Sequence, residues 1–174
     1  MTDPLLHELA SKQAIRDCLS RYCRGLDRMD KALACSVWHD DGSAHYIDMY
    51  EGSGHGFVDW VWQAHAGMER HSHQISNVLI EVQNNHAVSE AYVTVVLWTK
   101  QDDNGQQQEI IGRSRYLDRW SYRNHRWAID HRTHVLDMQT IQPLARAEVN
   151  KESCRSRDDI SYLLFKQQKN TEPQ

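Results

Sequence analysis

The residues best suited to proton transfer lie near the start of a predicted strand, in the segment HSHQISNVLIEV (residues 71–82). Alternate residues of a strand face the same side. The apolar Ile75 and Leu79 mark the inward side, and His73 and Asn77 share it. A buried imidazole beside a buried amide could act as a general base next to a hydrogen-bond donor for developing negative charge. The same pattern describes a core histidine with a structural role, and both interpretations stay open.

A phenol and a carboxylate that could serve this histidine lie in the segment RYCRGLDRMD (residues 21–30). Tyr22 belongs to the apolar stripe of the first predicted helix, but on an unbroken helix Asp27 would lie about 140° around the axis from it. A helix end at Gly25 would let the carboxylate turn inward. There Asp27 would hold one nitrogen of His73 and leave the other free to accept a proton. Spacing alone favours another interpretation, in which Asp27 caps the next helix.

The spacing of apolar residues predicts helices first and strands afterwards. Asp3 and Pro4 are typical of a helix start, and helical periodicity then continues to about Gly25. Asp30 is expected to cap a short second helix, whose apolar side includes Trp38. The glycine-rich residues 51–56 predict a loop before a third helix. From residue 73 the period becomes two, and short turns separate four strands that must pair antiparallel. The sequence therefore predicts an α+β fold, with the N-terminal helices packed into a strongly curved antiparallel sheet.

The size and charge of the chain exclude several classes of protein. The 174 residues correspond to one domain, expected over residues 1–140. Residues 141–174 form a polar tail whose apolar stretch ISYLLF (160–165) is expected to dock on the domain or on a neighbouring subunit. A net charge of −4 argues against nucleic-acid binding. With neither a membrane-length apolar run nor a secretory leader in the sequence, we expect a cytoplasmic protein that does not bind membranes.

Neither a metal nor an organic cofactor is expected. His71 and His73 share a strand face, but no third ligand follows at a spacing typical of a metal site. The sequence also contains neither a phosphate-binding loop nor a dinucleotide fingerprint. A histidine, a carboxylate, a tyrosine and an amide in an apolar pocket suit proton transfer or elimination without a cofactor.

Five segments resemble, in this order, the SnoaL-like branch of the NTF2-like superfamily: RYCRGLDRMD, VWHDDGSAHY, HSHQISNVLIEV, GRSRYLDRW and RWAIDHRTHVLD. The similarity extends over roughly residues 10–165. It implies a cone-shaped α+β barrel with a deep apolar pocket, in a homodimer or homotrimer. By resemblance to scytalone dehydratase, bile acid 7α-dehydratase and related dehydrochlorinases, Asp27 and His73 correspond to a catalytic dyad. Tyr22 and Arg132 correspond to further site residues.

The chain departs from these relatives at two places. Where many of them carry an acidic residue, this sequence has Ala44-His45-Tyr46. Either His45, Tyr46 and Tyr50 reshape the pocket, or His45 joins the proton relay. On the last strand, Arg132 has the opposite parity to the apolar Trp127 and Ile129. His131 would then face the pocket instead, unless a bulge intervenes.

Two aromatic residues, Trp38 and Tyr116, complete the expected substrate-binding set. The leading hypothesis is a cofactor-independent lyase or isomerase, dehydratase-like, in which an Asp–His dyad removes a proton from a small hydrophobic cyclic or aromatic substrate. The alternative is a non-catalytic ligand-binding or scaffold subunit, such as the small subunit of an aromatic-ring dioxygenase. A scaffold predicts a filled cavity and does not need Asp27 to meet His73.

Overall fold

The computed structural model describes residues 3–145 and 147–169. In chain order the elements are α1 (Pro4–Asp27), α2 (Lys31–Cys35), β1 (Trp38–Tyr46), β2 (Tyr50–Ser53), α3 (Gly54–Ala66), β3 (Met68–Gln83), β4 (His86–Thr99), β5 (Gln108–Arg123), β6 (Arg126–Pro143) and α4 (Ile160–Lys169). The α+β class predicted from the sequence is confirmed: helices pack against one curved, open sheet of six strands.

Side-chain caps begin the helices. The Asp3 carboxylate accepts a hydrogen bond from the backbone of Leu5 at 2.9 Å, and Pro4 opens α1. The Asp30 carboxylate accepts from the backbone of Leu33 at 3.2 Å and begins α2. These oxygens satisfy backbone donors that have no partner within the helix. Both predicted helix starts are confirmed, whereas the loop predicted over residues 51–56 is wrong, because β2 and the first turn of α3 occupy it.

Helix α1 does not end at Gly25, contrary to the prediction. It continues to Asp27, and Gly25 serves a different purpose. A Cβ atom at Gly25 would lie 2.6 Å from the backbone nitrogen of Ala34. The glycine therefore allows α2 to pack directly against the backbone of α1.

The sheet has the strand order β2-β1-β6-β5-β4-β3. The four-stranded antiparallel meander predicted from the period of two is confirmed in β3 to β6. Strands β1 and β2, which the sequence did not predict, extend this sheet, and β1 pairs parallel to β6. Trp38 opens β1 instead of lying on the second helix. A register shift between Trp38 and Ser43 interrupts the alternation of β1, which removes the period of two that identifies a strand.

The core lies between the concave side of the sheet and helices α1 and α3. After β6 the chain returns to the junction between the end of α1 and the start of α2. There Arg157 and Tyr162 donate hydrogen bonds to the Asp30 carboxylate at 2.7 Å and 2.9 Å. Four apolar residues of α4 remain exposed in this chain: Ile160, Leu163, Leu164 and Phe165. None of the helices in the described ranges is long and apolar enough to cross a membrane.

Candidate active site

Strand β3 passes the C-terminal end of α1 and joins it through two histidines. The ring Nε2 of His71 donates to the carbonyl oxygen of Leu26 at 2.7 Å. Two residues further on, the backbone N–H of His73 donates to Asp27 Oδ2 at 3.0 Å, and the ring Nδ1 of His73 lies 2.6 Å from Asp27 Oδ1. Asp27 therefore meets His73 from the last turn of an unbroken helix, because β3 runs alongside that turn.

The carboxylate determines which nitrogen of His73 can react. An ionised carboxylate only accepts hydrogen bonds, so Nδ1 carries the proton and Nε2 keeps its lone pair. The His73 side chain is 4% exposed and that of Asp27 is 15% exposed. His73 lines a cavity under the helices, and Nε2 is the nitrogen available to a bound molecule.

The cavity has a volume of about 190 Å³. Drug-sized ligand pockets measure roughly 300–1,000 Å³, so this one suits a small molecule. Its apolar lining comes from α3 and from the inner face of the sheet, and includes Phe57, Trp60, Val61, Met68, Val95, Leu97, Ile110 and Leu136. The polar groups around it are few, which is typical of a site that orients a hydrophobic ligand.

Three tyrosines provide hydroxyl groups at this cavity: Tyr22, Tyr46 and Tyr116. The hydroxyls of Tyr22 and Tyr46 are 3.0 Å apart. Burial raises the pKa of all three phenols, so they stay protonated at neutral pH. One hydroxyl of the Tyr22–Tyr46 pair donates to the other, and the acceptor keeps its own proton for a ligand.

A buried ion pair supports these tyrosines from behind. Arg132 donates from Nε and Nη2 to the two oxygens of Asp118, each at 2.7 Å. Its guanidinium lies 3.8 Å from the ring centroid of Tyr116 and 4.6 Å from that of Tyr22. Burial opposes the charge, but the Asp118 carboxylate raises the pKa of Arg132 above its ordinary value. Arg132 therefore does not line the cavity. Its charge lies against the rings of Tyr22 and Tyr116, which do line it.

A bulge in β6 turns Arg132 inward. The pairing with β5 moves from Arg119–His131 to Trp120–Ile129, so Asp130 is an extra residue that reverses the parity. The bulge that the sequence left open is therefore present, and Arg132 faces inward while His131, also expected among the substrate-binding residues, does not. His131 lies on the outer side, with Nδ1 2.7 Å from the Ser43 hydroxyl.

Three further predicted ligand contacts lie outside the cavity. Asn77 is exposed, because it adopts a positive φ of 47° where the register of β3 shifts between Ser76 and Leu79. His45 pairs with Thr133 of β6 and points to the outer side of β1, opposite to Tyr46. Trp38 is fully buried beneath the site, with its ring centroid 6.3 Å from that of Tyr22.

Two cavity histidines, His65 and His134, are absent from the residues predicted from the sequence. Burial lowers the pKa of His65 to about 2 and that of His134 to about 4. Both are therefore neutral at physiological pH. Helical spacing from Val61 could have identified His65, which follows four residues later on the same face. His134 shares the parity of Arg132 and depends on the same bulge.

Within residues 3–145 and 147–169, no group of three or more histidine, cysteine, aspartate or glutamate side chains is arranged to hold a metal ion. The polar groups that line the cavity include the imidazole of His73, held by Asp27, and the three tyrosines.

Helices packed into a curved sheet, with a cavity between them, define a domain of the NTF2-like class. The family model described as "SnoaL-like domain" matches residues 7–133. The chain therefore belongs to the SnoaL-like family.

Solved structures share this fold. A hexachlorocyclohexane dehydrochlorinase, LinA type 2, is 19% identical with a TM-score of 0.69, over 83% of this chain and 96% of that one. A scytalone dehydratase-like protein from Novosphingobium aromaticivorans is 19% identical with a TM-score of 0.67, over 81% and 97%. A protein of unknown function from Mycobacterium tuberculosis is 21% identical with a TM-score of 0.65, over 96% and 94%. No curated protein matches the sequence.

Proposed function

We propose that this protein is a cofactor-independent lyase or isomerase, dehydratase-like, that removes a proton from carbon in a small hydrophobic cyclic or aromatic substrate. The observation that carries the proposal is the 2.6 Å contact between His73 Nδ1 and Asp27 Oδ1 beside an apolar cavity. A base oriented in this way, with one nitrogen left free, has the arrangement that general-base catalysis requires.

His73 Nε2 accepts the proton, and Asp27 stabilises the imidazolium that forms. In an elimination, the electrons of the broken C–H bond form a double bond, and the leaving group departs from the neighbouring carbon with its bonding electrons. In an isomerisation, the same electrons form an enolate, and the proton returns at another carbon. A positioned general base contributes about 10²–10⁴-fold to the rate, so the developing negative charge must also be stabilised.

The hydroxyl pair of Tyr22 and Tyr46 is suited to that second task. A protonated phenol in a water-poor cavity donates a strong hydrogen bond to an enolate oxygen or to a departing oxygen. The charge of Arg132 behind the rings favours negative charge at these hydroxyls.

The relatives support an elimination more than a scaffold. The dehydrochlorinase and the scytalone dehydratase-like protein share the fold, and their names describe removal of HCl and of water. A scaffold subunit would need neither an open cavity nor a contact between Asp27 and His73. Both features therefore favour the enzyme.

Hydrogen–deuterium exchange at carbon tests the proposal without assuming a leaving group. The protein is incubated in D2O with hexachlorocyclohexane, scytalone and small cyclic ketones, and deuterium incorporation and product are followed by NMR. We expect turnover of at least one compound, with a loss of at least about 10²-fold in His73→Ala and Asp27→Asn. His86→Ala, which changes an exposed histidine away from the cavity, is the matched control and should keep the rate.

Equal rates in the wild type and in the two dyad variants would contradict the mechanism. Compounds that quench tryptophan fluorescence, and so bind, but never exchange would support the ligand-binding alternative instead.

Three expectations stay predictions: a single domain over residues 1–140, a homodimer or homotrimer, and a cytoplasmic location. Sedimentation and fractionation can test the last two.

A further inference from the structure

The C-terminal segment brings one guanidinium to the back of the proposed site. Arg155 donates from Nη2 to the carbonyl oxygen of His65 at 2.6 Å, and from Nη1 to those of Met68 and Glu69. The last carbonyls of a helix have no partner within it, and a cation there interacts favourably with the helix dipole. Arg155 therefore joins the end of α3 to the start of β3, and two of the residues it binds, His65 and Met68, line the cavity.

Arg155 lies beside a cluster of three imidazoles. The ring centroids of His65 and His71 are 4.1 Å apart, and His73 lies 5.6 Å from the first and 6.0 Å from the second. Among the described residues, only His73 has a carboxylate partner in this cluster. Burial lowers the pKa of His65 to about 2, with smaller contributions from His71, His73 and, last, Arg155. Burial also lowers the pKa of His71 to about 4; the hydrogen bond to Leu26 opposes this and the charge of Arg155 adds to it.

The charges that face the cluster come from several elements. Asp27 approaches from α1 and attracts positive charge, and it interacts with both His71 and Arg155. From β3, Arg70 opposes the charge of Arg155 and Glu69 supports it. Across the cavity, His134 of β6 interacts with His73. Arg155 acts on both His65 and His71.

We infer that Arg155 is a positioning residue: it holds the junction of α3 and β3 against the cavity and places a positive charge beside His65 and His71. This charge adds to the effect of burial, which disfavours protonation of both imidazoles, so that a proton taken from the substrate stays on His73, beside Asp27. This last consequence rests on the proposed function. The clamp and the neutral imidazoles do not.

NMR titration of the protein with isotope-labelled histidine tests the inference and needs no substrate. In Arg155→Gln we expect the pKa of His71 to rise by about half a unit or more, because one repulsive charge is lost while burial remains. Arg155→Lys keeps the charge and should keep the wild-type titration. Arg157→Gln is the matched control, because Arg157 lies on the same segment but binds Asp30, and it should leave His71 unchanged.

An unchanged His71 titration in Arg155→Gln would overturn the inference, and so would an equal rise in Arg155→Lys. Arg155→Met is a second charge-free variant with a similar apolar stem. If both charge-free variants fail to fold while Arg155→Lys and Arg157→Gln fold, Arg155 is a stability element and the inference is also overturned. Failure of the dyad variants in the exchange assay would remove the proposed function and leave this titration result intact.

Discussion

Acidification should destabilise this protein well before its carboxylates are protonated. His65, His71 and His134 are buried, and their pKa values are lowered to about 2, about 4 and about 4. In the unfolded chain each imidazole takes up a proton near its ordinary pKa of about 6.5. Between about pH 6.5 and 4 the unfolded state binds more protons than the native state, so the free energy of unfolding falls as the pH falls.

The expected size follows from the same values. Between pH 7 and pH 5 each neutral histidine lowers the free energy of unfolding by about 2 kcal/mol, and the three together by at most about 6 kcal/mol. Native domains have only about 5–15 kcal/mol of stability. The loss should therefore be visible in urea unfolding curves at pH 7, 6 and 5, followed by tryptophan fluorescence and circular dichroism.

One substitution isolates a single histidine. The ring of His134 stacks on that of Tyr46, with centroids 4.7 Å apart, and His134→Phe keeps an aromatic ring there but removes the titrating group. The stability lost between pH 7 and pH 5 should shrink by about 2 kcal/mol in this variant. His86→Gln changes an exposed histidine and should not alter the loss. Identical losses in the wild type and His134→Phe would show that His134 is not held neutral, and the reasoning would be wrong.

Two further substitutions test the packing around the site. Gly25→Ala would place a Cβ atom 2.6 Å from the backbone of Ala34 and should lower the free energy of unfolding, measured in urea, by about 1–3 kcal/mol. Gly112→Ala, with its nearest neighbour at 3.7 Å, should cost much less in the same urea unfolding curves. Asp118→Asn leaves the Arg132 charge buried without its carboxylate and should cost about 3–5 kcal/mol. The double variant Asp118→Asn with Arg132→Met should be more stable in urea unfolding than Asp118→Asn alone. A double variant that is no more stable would contradict this account of the ion pair.

The sequence predicts those structural features that are determined by residues close together in the chain. The Asp3 and Asp30 caps, the meander of β3 to β6 and the inward side chain of His73 beside Ile75 follow from side-chain type and short-range spacing. Leu79, predicted on the same side, is exposed, because it follows the register shift in β3. The family resemblance, more than the spacing, pointed to Asp27 as the partner of His73. On spacing alone Asp27 would cap a helix, because the helical angle does not show which strand passes alongside.

Tertiary structure decided the features that a single residue can reverse. The extra residue Asp130 turns Arg132 inward and His131 outward. The positive φ of Asn77 turns its own side chain to solvent. Neither bulge can be read from the alternation of side chains, because each one breaks it. The parallel pairing of β1 with β6 and the contact of Arg155 with the end of α3 join residues far apart in the chain. Sequence periodicity reports only which face of an element is buried, whereas the partner across that face depends on how the whole chain packs.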